Sequence, residues 1–453
     1  MSGAELVSVS PLPLAGEGGP EDRERGGSEI ALAFQANPLS PPPAGLSPAS
    51  GREEKLLAAL RPGPLDARLA PQLDSLRERS LYRARRTVSG QHAVRMVVDG
   101  KPCVNFCAND YLGLATDPRV AEAARRAIAN GGLGSTGSAL ISGYDAEHRA
   151  FEEEYADFIG RPRALLFSTG TAANMGVLKA LLGRGDAVIA DELNHASLID
   201  GARASGAEYI RVPHADLAGY EAALASLEPS RFTAVVTDGV FSMDGDIADL
   251  PALARLTRAA GAALIVDDVH GLGVLGERGR GSVELLATEP DVLINGLGKA
   301  FGCAGGIVAG SETLIEFLIQ RARSWIFSTA PPPAIAAAAR ESLRILRAEP
   351  ERRARLLANV RHFIAGAHER GLVIPERPVA TPIQPVMVGD DARVMALSAE
   401  LMRRGFWVAG IRPPTVPRST ARLRITLSAA HEFAQIEALL DALHDSLAAL
   451  AAI

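Results

Sequence analysis

Val292-Leu293-Ile294-Asn295-Gly296-Leu297-Gly298-Lys299-Ala300-Phe301-Gly302 is a short apolar run that ends in a lysine set among glycines. Upstream, Ala263-Leu264-Ile265-Val266 ends in the same way, in Asp267-Asp268-Val269-His270-Gly271. Two strand-like segments therefore each deliver ionisable groups at their carboxyl ends, where open parallel sheets place ligands. A lysine on a glycine-flanked turn can join a carbonyl cofactor as a Schiff base. An aspartate beneath the ring of pyridoxal phosphate (PLP) keeps the pyridine nitrogen protonated. The pairing of Lys299 with Asp267 points to a PLP enzyme.

Working outward, the middle of the chain alternates strand and helix. Ala164–Phe167 leads into a helix from Thr171, and Ala187–Ala190 into one from about Ala196. Ala234–Thr237 precedes a helix over Leu250–Ala260, and the two opening runs follow. This rhythm predicts a mainly parallel sheet covered on both faces. Past Pro331-Pro332-Pro333 comes an Ala/Arg/Leu helical region and then a smaller α/β unit. The strand candidates of that unit are Ile383–Val388, Phe406–Ile411 and Leu423–Leu427. The expected organisation is a Pro/Gly-rich disordered extension over 1–65, a helix (Leu73, Leu76, Leu81) and hairpin arm over 66–110, a large domain over 111–345 and a small C-terminal domain over 346–453.

Composition narrows the function classes. A chain of 453 residues, 47% hydrophobic and 22% charged, has the make-up of a globular enzyme of two or three domains. The net charge of −6, with arginines spread along helices, argues against a nucleic-acid binder. Three cysteines (Cys103, Cys107, Cys303) are too few for a disulfide framework, and their spacing provides no zinc site. No apolar run is long enough to cross a bilayer, and the first residues lack a secretory pattern, so the expected location is cytoplasmic.

Other strings acquire meaning beside Lys299. Ser168-Thr169-Gly170-Thr171-Ala172-Ala173-Asn174 lies between a strand and a helix, where free N–H groups and the helix dipole favour a phosphate; alone it reads as a helix cap. His195 follows the strand at 187–190, either as a structural residue or as a flat ring for stacking on a flat cofactor. Ser242, in Phe241-Ser242-Met243-Asp244-Gly245-Asp246, has a hydroxyl suited to a phenolic oxygen, whereas Asp244-Gly245 alone is a turn. Arg422 and Arg424 alternate on one strand and so share a face; a carboxylate clamp and a salt bridge are both open readings. Two G-x-G-x-x-G strings are rejected as dinucleotide sites. Gly132–Gly137 follows a helix-like segment, and Gly271–Gly276 has no convincing helix after it.

Together these strings resemble the α-oxoamine synthase family of fold-type I PLP enzymes, from about residue 70 to 445. The most specific pieces are Asn109-Asp110-Tyr111-Leu112-Gly113-Leu114, the Ser242–Asp246 turn, Asp267-Asp268-x-His270-Gly271, and Arg412-Pro413-Pro414-Thr415-Val416-Pro417 with Ala421-Arg422-Leu423-Arg424. The last pair favours the branch that condenses L-alanine with a pimeloyl thioester, on CoA or an acyl carrier protein, to give 8-amino-7-oxononanoate, CO2 and free thiol in biotin biosynthesis. A sibling activity using glycine or serine with another acyl-CoA is the alternative, and a non-catalytic scaffold is the alternative of another class. Retention of Lys299, Asp267, His270 and His195 together argues against the scaffold.

The resemblance makes Lys299 the Schiff-base lysine and the base at the amino acid's Cα, and it pairs Asp267 with the pyridinium nitrogen. His270 and Ser242 would contact the ring oxygen, His195 would stack on the ring and assist the later decarboxylation, and Gly170 and Thr171 would hold the phosphate. Arg424 would bind the amino-acid carboxylate, Thr415 the substrate, and Arg83 the distal carboxylate of the acyl chain. The family implies a homodimer with active sites at the interface, no metal, and neither nucleic acid nor membrane as partner. Four positions depart from its pattern. Thr171 stands where an aromatic is common, Gly296 where a hydroxyl often helps hold the phosphate, Val269 in place of an alanine against the ring, and Ala139 where a basic residue is frequent.

Overall fold

The computed structural model describes residues 63–79 and 81–451. The expected extension over 1–65 therefore lies, apart from its last three residues, outside the described residues. A helix runs over Pro64–Glu78. It stops short of Leu81 because the amides of Leu81 and Tyr82 both turn back to the Leu76 carbonyl, which ends the ladder. The chain divides into two units, Met1–Ser75 and Leu76–Ile453; the second carries everything described below.

The second unit opens with the expected hairpin arm, β1 (Val88–Ser89), β2 (Arg95–Val98) and β3 (Lys101–Asn105), paired antiparallel in that order. The central sheet follows from the apolar runs: β4 (Arg163–Phe167), β5 (Ala187–Asp191), β6 (Glu208–Val212), β7 (Thr233–Asp238), β8 (Ala263–Asp267), β9 (Val292–Gly296) and β10 (Gly306–Gly310). Their spatial order is β4-β10-β9-β8-β7-β5-β6. Only β10 runs antiparallel to its neighbours. Every residue of β5, β7 and β9 is buried, as expected where helices cover both faces.

Alternation along the strands sorts side chains into two cores. Leu264 and Val266 of β8 join the larger core with Tyr111, Phe151, Phe301 and Leu346, whereas Ile265 joins the smaller one with Ala173, Val177, Leu178 and Leu198. The next inward position on the smaller-core side is Asp267. Burial of each Ile, Leu or Val side chain contributes roughly 1.5–3 kcal/mol, so the strands are held from both faces while their carboxyl ends stay free for polar residues.

The C-terminal strands are β11 (Ile383–Gly389), β12 (Phe406–Trp407), β13 (Ala409–Ile411) and β14 (Ala421–Thr426). β11, β14 and β13 form an antiparallel sheet in that order. The single strand expected over Phe406–Ile411 is in fact two. Phe406-Trp407 pairs parallel with β3, Val408 turns into the large core, and Ala409–Ile411 pairs with β14. One apolar run thus stitches two sheets together.

Candidate active site

The site begins at the carboxyl ends of the parallel strands. β7 and β8 finish in register at Asp238 and Asp267, side by side and buried. Burial pushes the Asp267 carboxyl pKa up, and the Asn174 amide and the nearby His195 and Lys299 oppose that rise. Asn174 Nδ2 donates to Asp267 Oδ2 at 2.7 Å and to Ser197 Oγ at 2.8 Å, and the Val269 N–H donates to Asp267 Oδ1 at 3.2 Å. Asp267 is therefore an aimed, partly compensated acceptor, and a cationic nitrogen beside it would complete the compensation. Burial and the Asp267 charge raise Asp238 well above the ordinary carboxylate range. Asp238 Oδ2 accepts the backbone N–H of His195 at 2.6 Å.

His195 caps the helix Ala196–Ser205 and stands exposed. Its Nδ1 accepts from the Ser197 N–H at 3.3 Å and lies 2.7 Å from Ser197 Oγ, so Nε2 is the nitrogen that carries a proton outward.

Gly170 and Thr171 open the helix Gly170–Leu181 directly beyond β4. Thr169 Oγ1 covers the Ala172 N–H at 2.9 Å. The N–H groups of Gly170 and Thr171 have no acceptor within the helix, and a side chain added at Gly170 would meet nothing within 4 Å. This open, donor-lined end, with Ser168, Thr169 and Thr171 exposed, has the features that can stabilise a phosphate.

Lys299 follows β9 and is half-buried. Burial and then the Arg424 charge lower its pKa, against Asp267, which raises it. A neutral amine, able to act as nucleophile and base, is thereby favoured. His270 is buried; burial, Lys299, Arg424 and His195 together hold its pKa well below the usual value. The Tyr111 hydroxyl sits 2.5 Å from His270 Nδ1 and 3.2 Å from Asn109 Oδ1.

Arg424 lies on β14, buried. Its Nε donates to the Ser242 carbonyl at 2.6 Å, Nη1 to Thr426 Oγ1 at 3.0 Å and Nη2 to Asn109 Oδ1 at 3.1 Å. Arg424 also hydrogen-bonds the Tyr111 hydroxyl; a guanidinium has five N–H groups, so these four contacts leave it donor capacity for a carboxylate. Its neighbour Arg422 is occupied instead with the Asp244 carboxylate, which resolves the two-arginine strand into one structural and one available cation.

Lys299, Asp267, His270, His195 and Arg424 are thus brought within electrostatic reach of one another. Ser242 joins them through its carbonyl. Thr415 and Arg83 are exposed. They sit on segments tied by Arg412 Nη2, which donates to the Tyr82 carbonyl at 3.2 Å.

Four residues that orient the site carry no role in the sequence reading: Asn174, Tyr111, Asn109 and Asp238. Asn109 and Tyr111 belong to a quoted motif, and Asn174 closes the quoted string after Ser168, so the available signal was position without partner. A fifth, His214, braces the turn that bears Ser242. Its Nδ1 lies 3.0 Å from Asp191 Oδ1 and its Nε2 2.9 Å from Asp246 Oδ2. Burial alone pushes the His214 pKa down, but hydrogen bonds to Asp191 and Asp246 outweigh it and hold the group up at about 10. The folded value lies above the unfolded value of 6.5, so the clamp stabilises fully below about pH 6.5 and is lost as pH rises through about 10. The melting temperature should therefore fall from pH 7 to pH 10 more steeply in the native protein than in His214→Gln. Identical slopes in the two proteins would show that the clamp contributes nothing.

The chain is similar to known proteins in both sequence and fold. The aminotransferase class I and II family matches residues 101–443. The chain is 56% identical over 380 residues to the 8-amino-7-oxononanoate synthase of Methylococcus capsulatus, covering 83% of this chain and 97% of that one. It is 52% identical to the enzyme of that name from Halorhodospira halophila, covering 84% and 94%. Among solved structures, a serine palmitoyltransferase from S. paucimobilis with bound PLP superposes with a TM-score of 0.81 at 30% identity, covering 85% of this chain and 98% of that one. An 8-amino-7-oxononanoate synthase from Francisella tularensis superposes at 0.67 and 31% identity, covering 77% and 99%.

Proposed function

This chain belongs to the aminotransferase class I and II family and, within it, to the α-oxoamine synthases, and on that ground we infer that it is a PLP-dependent acyltransferase that condenses L-alanine with a pimeloyl thioester in biotin biosynthesis. The products are 8-amino-7-oxononanoate, CO2 and the free thiol. The observation that carries the reading is the convergence of three unlike groups at one end of one sheet. They are a depressed lysine after β9, a buried aspartate closing β8 and unpartnered helix N–H groups after β4.

These groups fit PLP. Lys299 Nζ would hold its carbonyl carbon, Asp267 its ring nitrogen, and Gly170 with Thr171 its phosphate. His195 would lie against the ring, and Ser242 with His270 would serve its phenolic oxygen. Bound there, PLP acts as a sink for the electron pair left when a proton leaves an amino acid's Cα.

The rest of the work falls to this chain's own side chains. Arg424 takes the alanine carboxylate with its remaining donor capacity and its charge. Lys299, whose ammonium burial and Arg424 disfavour, removes the Cα proton and returns one after CO2 has left. The outward Nε2–H of His195 steadies the carboxylate that departs. Asn174 and the Val269 N–H hold Asp267 in place. Thr415 contacts the substrate and Arg83 receives the distal carboxylate of the acyl chain, and the Arg412–Tyr82 contact keeps their segments together.

A homodimer and a cytoplasmic location go with this reading. Ile141 is 83% exposed and Phe327 69%, on two segments joined by the Ser138–Thr329 bridge. Large apolar side chains left bare together mark a surface that a partner covers; the second copy is the partner proposed. Among the described residues no helix is long and apolar enough to cross a membrane.

Thiol release by the PLP-loaded protein tests the substrate assignment. L-alanine with pimeloyl-CoA should exceed glycine with pimeloyl-CoA by roughly 10–200-fold, the range that one methyl in a shaped pocket supplies. Faster turnover of glycine with acetyl-CoA, or of serine with palmitoyl-CoA, would replace this reading with the sibling activity.

A further inference from the structure

Two of the departures noted in the sequence turn out to be in contact. β8 and β9 pair in register as far as Asp267 and Ile294, and the same register continued sets Val269 beside Gly296. A Cβ built on Gly296 would stand 2.4 Å from Val269 Cγ2 and 3.5 Å from Val269 Cβ, with no other atom within 4 Å. The first distance is far inside any van der Waals contact. Gly296 is not in the left-handed region, so its backbone accepts any residue. The Val269 side chain alone excludes a larger one.

Val269 is also joined to the site, because its N–H donates to Asp267 Oδ1 at 3.2 Å. A push on its side chain is therefore passed to the carboxylate. Gly296 in turn lies on the segment that leads to Lys299, and both positions are at the sheet's ligand-bearing end.

We propose that Val269 and Gly296 are one size-exchanged unit, in which a Val269 γ-methyl fills the volume of a side chain at 296 and thereby keeps the Val269 N–H on Asp267. Val269 is a positioning residue; it acts through Asp267. The unit puts an apolar methyl where a side chain at 296 would stand. A hydroxyl can be placed at 296 only when 269 is reduced at the same time. The cofactor part of this proposal rests on the reading of Asp267 as the partner of the ring nitrogen.

The test is a double-mutant cycle of Gly296→Ser, Val269→Ala and the two combined, with Gly296→Ala as the milder member should the serine variant fail to fold. Two quantities are read without substrate: the melting temperature of the apoprotein and the PLP dissociation constant from an absorbance titration. Gly296→Ser alone should lower the apoprotein's melting temperature by roughly 2–6 °C, the effect of overpacking in a domain of this size. It should also weaken PLP about tenfold, a loss of one hydrogen bond's order. Adding Val269→Ala should recover both losses. Additive melting temperatures across the cycle would overturn the proposal. Coupled melting temperatures with PLP affinity equal in all four proteins would support the volume exchange and overturn the Asp267 reading.

Discussion

Lys299→Ala is expected to slow thiol release from L-alanine and pimeloyl-CoA by at least ~10^4-fold, while leaving the apoprotein as stable as the native one. General acid–base catalysis at Cα is by itself worth about 10²–10⁴-fold, and the same Nζ also carries the cofactor. Stability should be spared because burial and the Arg424 charge already disfavour the ammonium. Removing it relieves repulsion with Arg424 and costs only one attraction, to Asp267. Lys299→Arg is the informative companion. It keeps a cation but has no neutral amine to act with, so it should be as inactive as the alanine variant. Activity in the arginine variant within about tenfold of native would show that charge, and not nucleophilic or basic character, is what position 299 supplies.

Asp267→Asn should lower kcat by about 10³-fold. A unit charge about 4 Å from a cationic ring nitrogen contributes ~4 kcal/mol at an effective dielectric constant near 20, and ~4 kcal/mol corresponds to about 10³ in rate. The substitution also upsets the local hydrogen bonds. Asn174 Nδ2 and the Val269 N–H both donate to the aspartate, and an amide has only one oxygen to receive them. Asp238→Asn provides the contrast from the adjacent strand. Asp238 has only to accept the His195 N–H, which an amide oxygen does as well. Its loss of activity should be well below that of Asp267→Asn. Equal losses at 238 and 267 would mean that the site needs two buried acids and not one ion-pairing carboxylate.

The sequence made the strand ends legible because apolar runs that stop abruptly at Asp191, Asp238, Asp267 and Gly296 can do so only at one edge of a covered sheet. It made Lys299 and Asp267 stand out because a charged residue closing a buried run needs a purpose, whereas Arg424, alternating with Arg422, stayed open between a carboxylate clamp and a salt bridge. What it hid were partners far apart in the chain. Tyr111 and His270 meet across 159 residues, and Asn174 reaches Asp267 across 93; no local periodicity records either meeting. Phe406–Ile411 misled for a related reason. Its apolar pattern is continuous, and only the tertiary positions of β3 and β14 decide that it changes sheets at Val408. Gly296 and Val269 show the same limit most plainly. Read singly they are a missing hydroxyl and an oversized side chain, and only the 2.4 Å that would separate a Cβ added at Gly296 from Val269 Cγ2 turns two departures into one exchange.

Carbon–carbon bond formation and loss of the alanine carboxyl should occur in one turnover at Lys299. The direct measurement feeds L-alanine labelled with carbon-13 in its carboxyl group and nitrogen-15 in its amine, together with pimeloyl-CoA, to the PLP-loaded protein, and follows both labels by mass spectrometry. All the carbon-13 should leave as CO2, all the nitrogen-15 should appear in 8-amino-7-oxononanoate, and CO2, thiol and product should form in equal amounts. Carbon-13 kept in the product, or CO2 released without thiol, would contradict this mechanism.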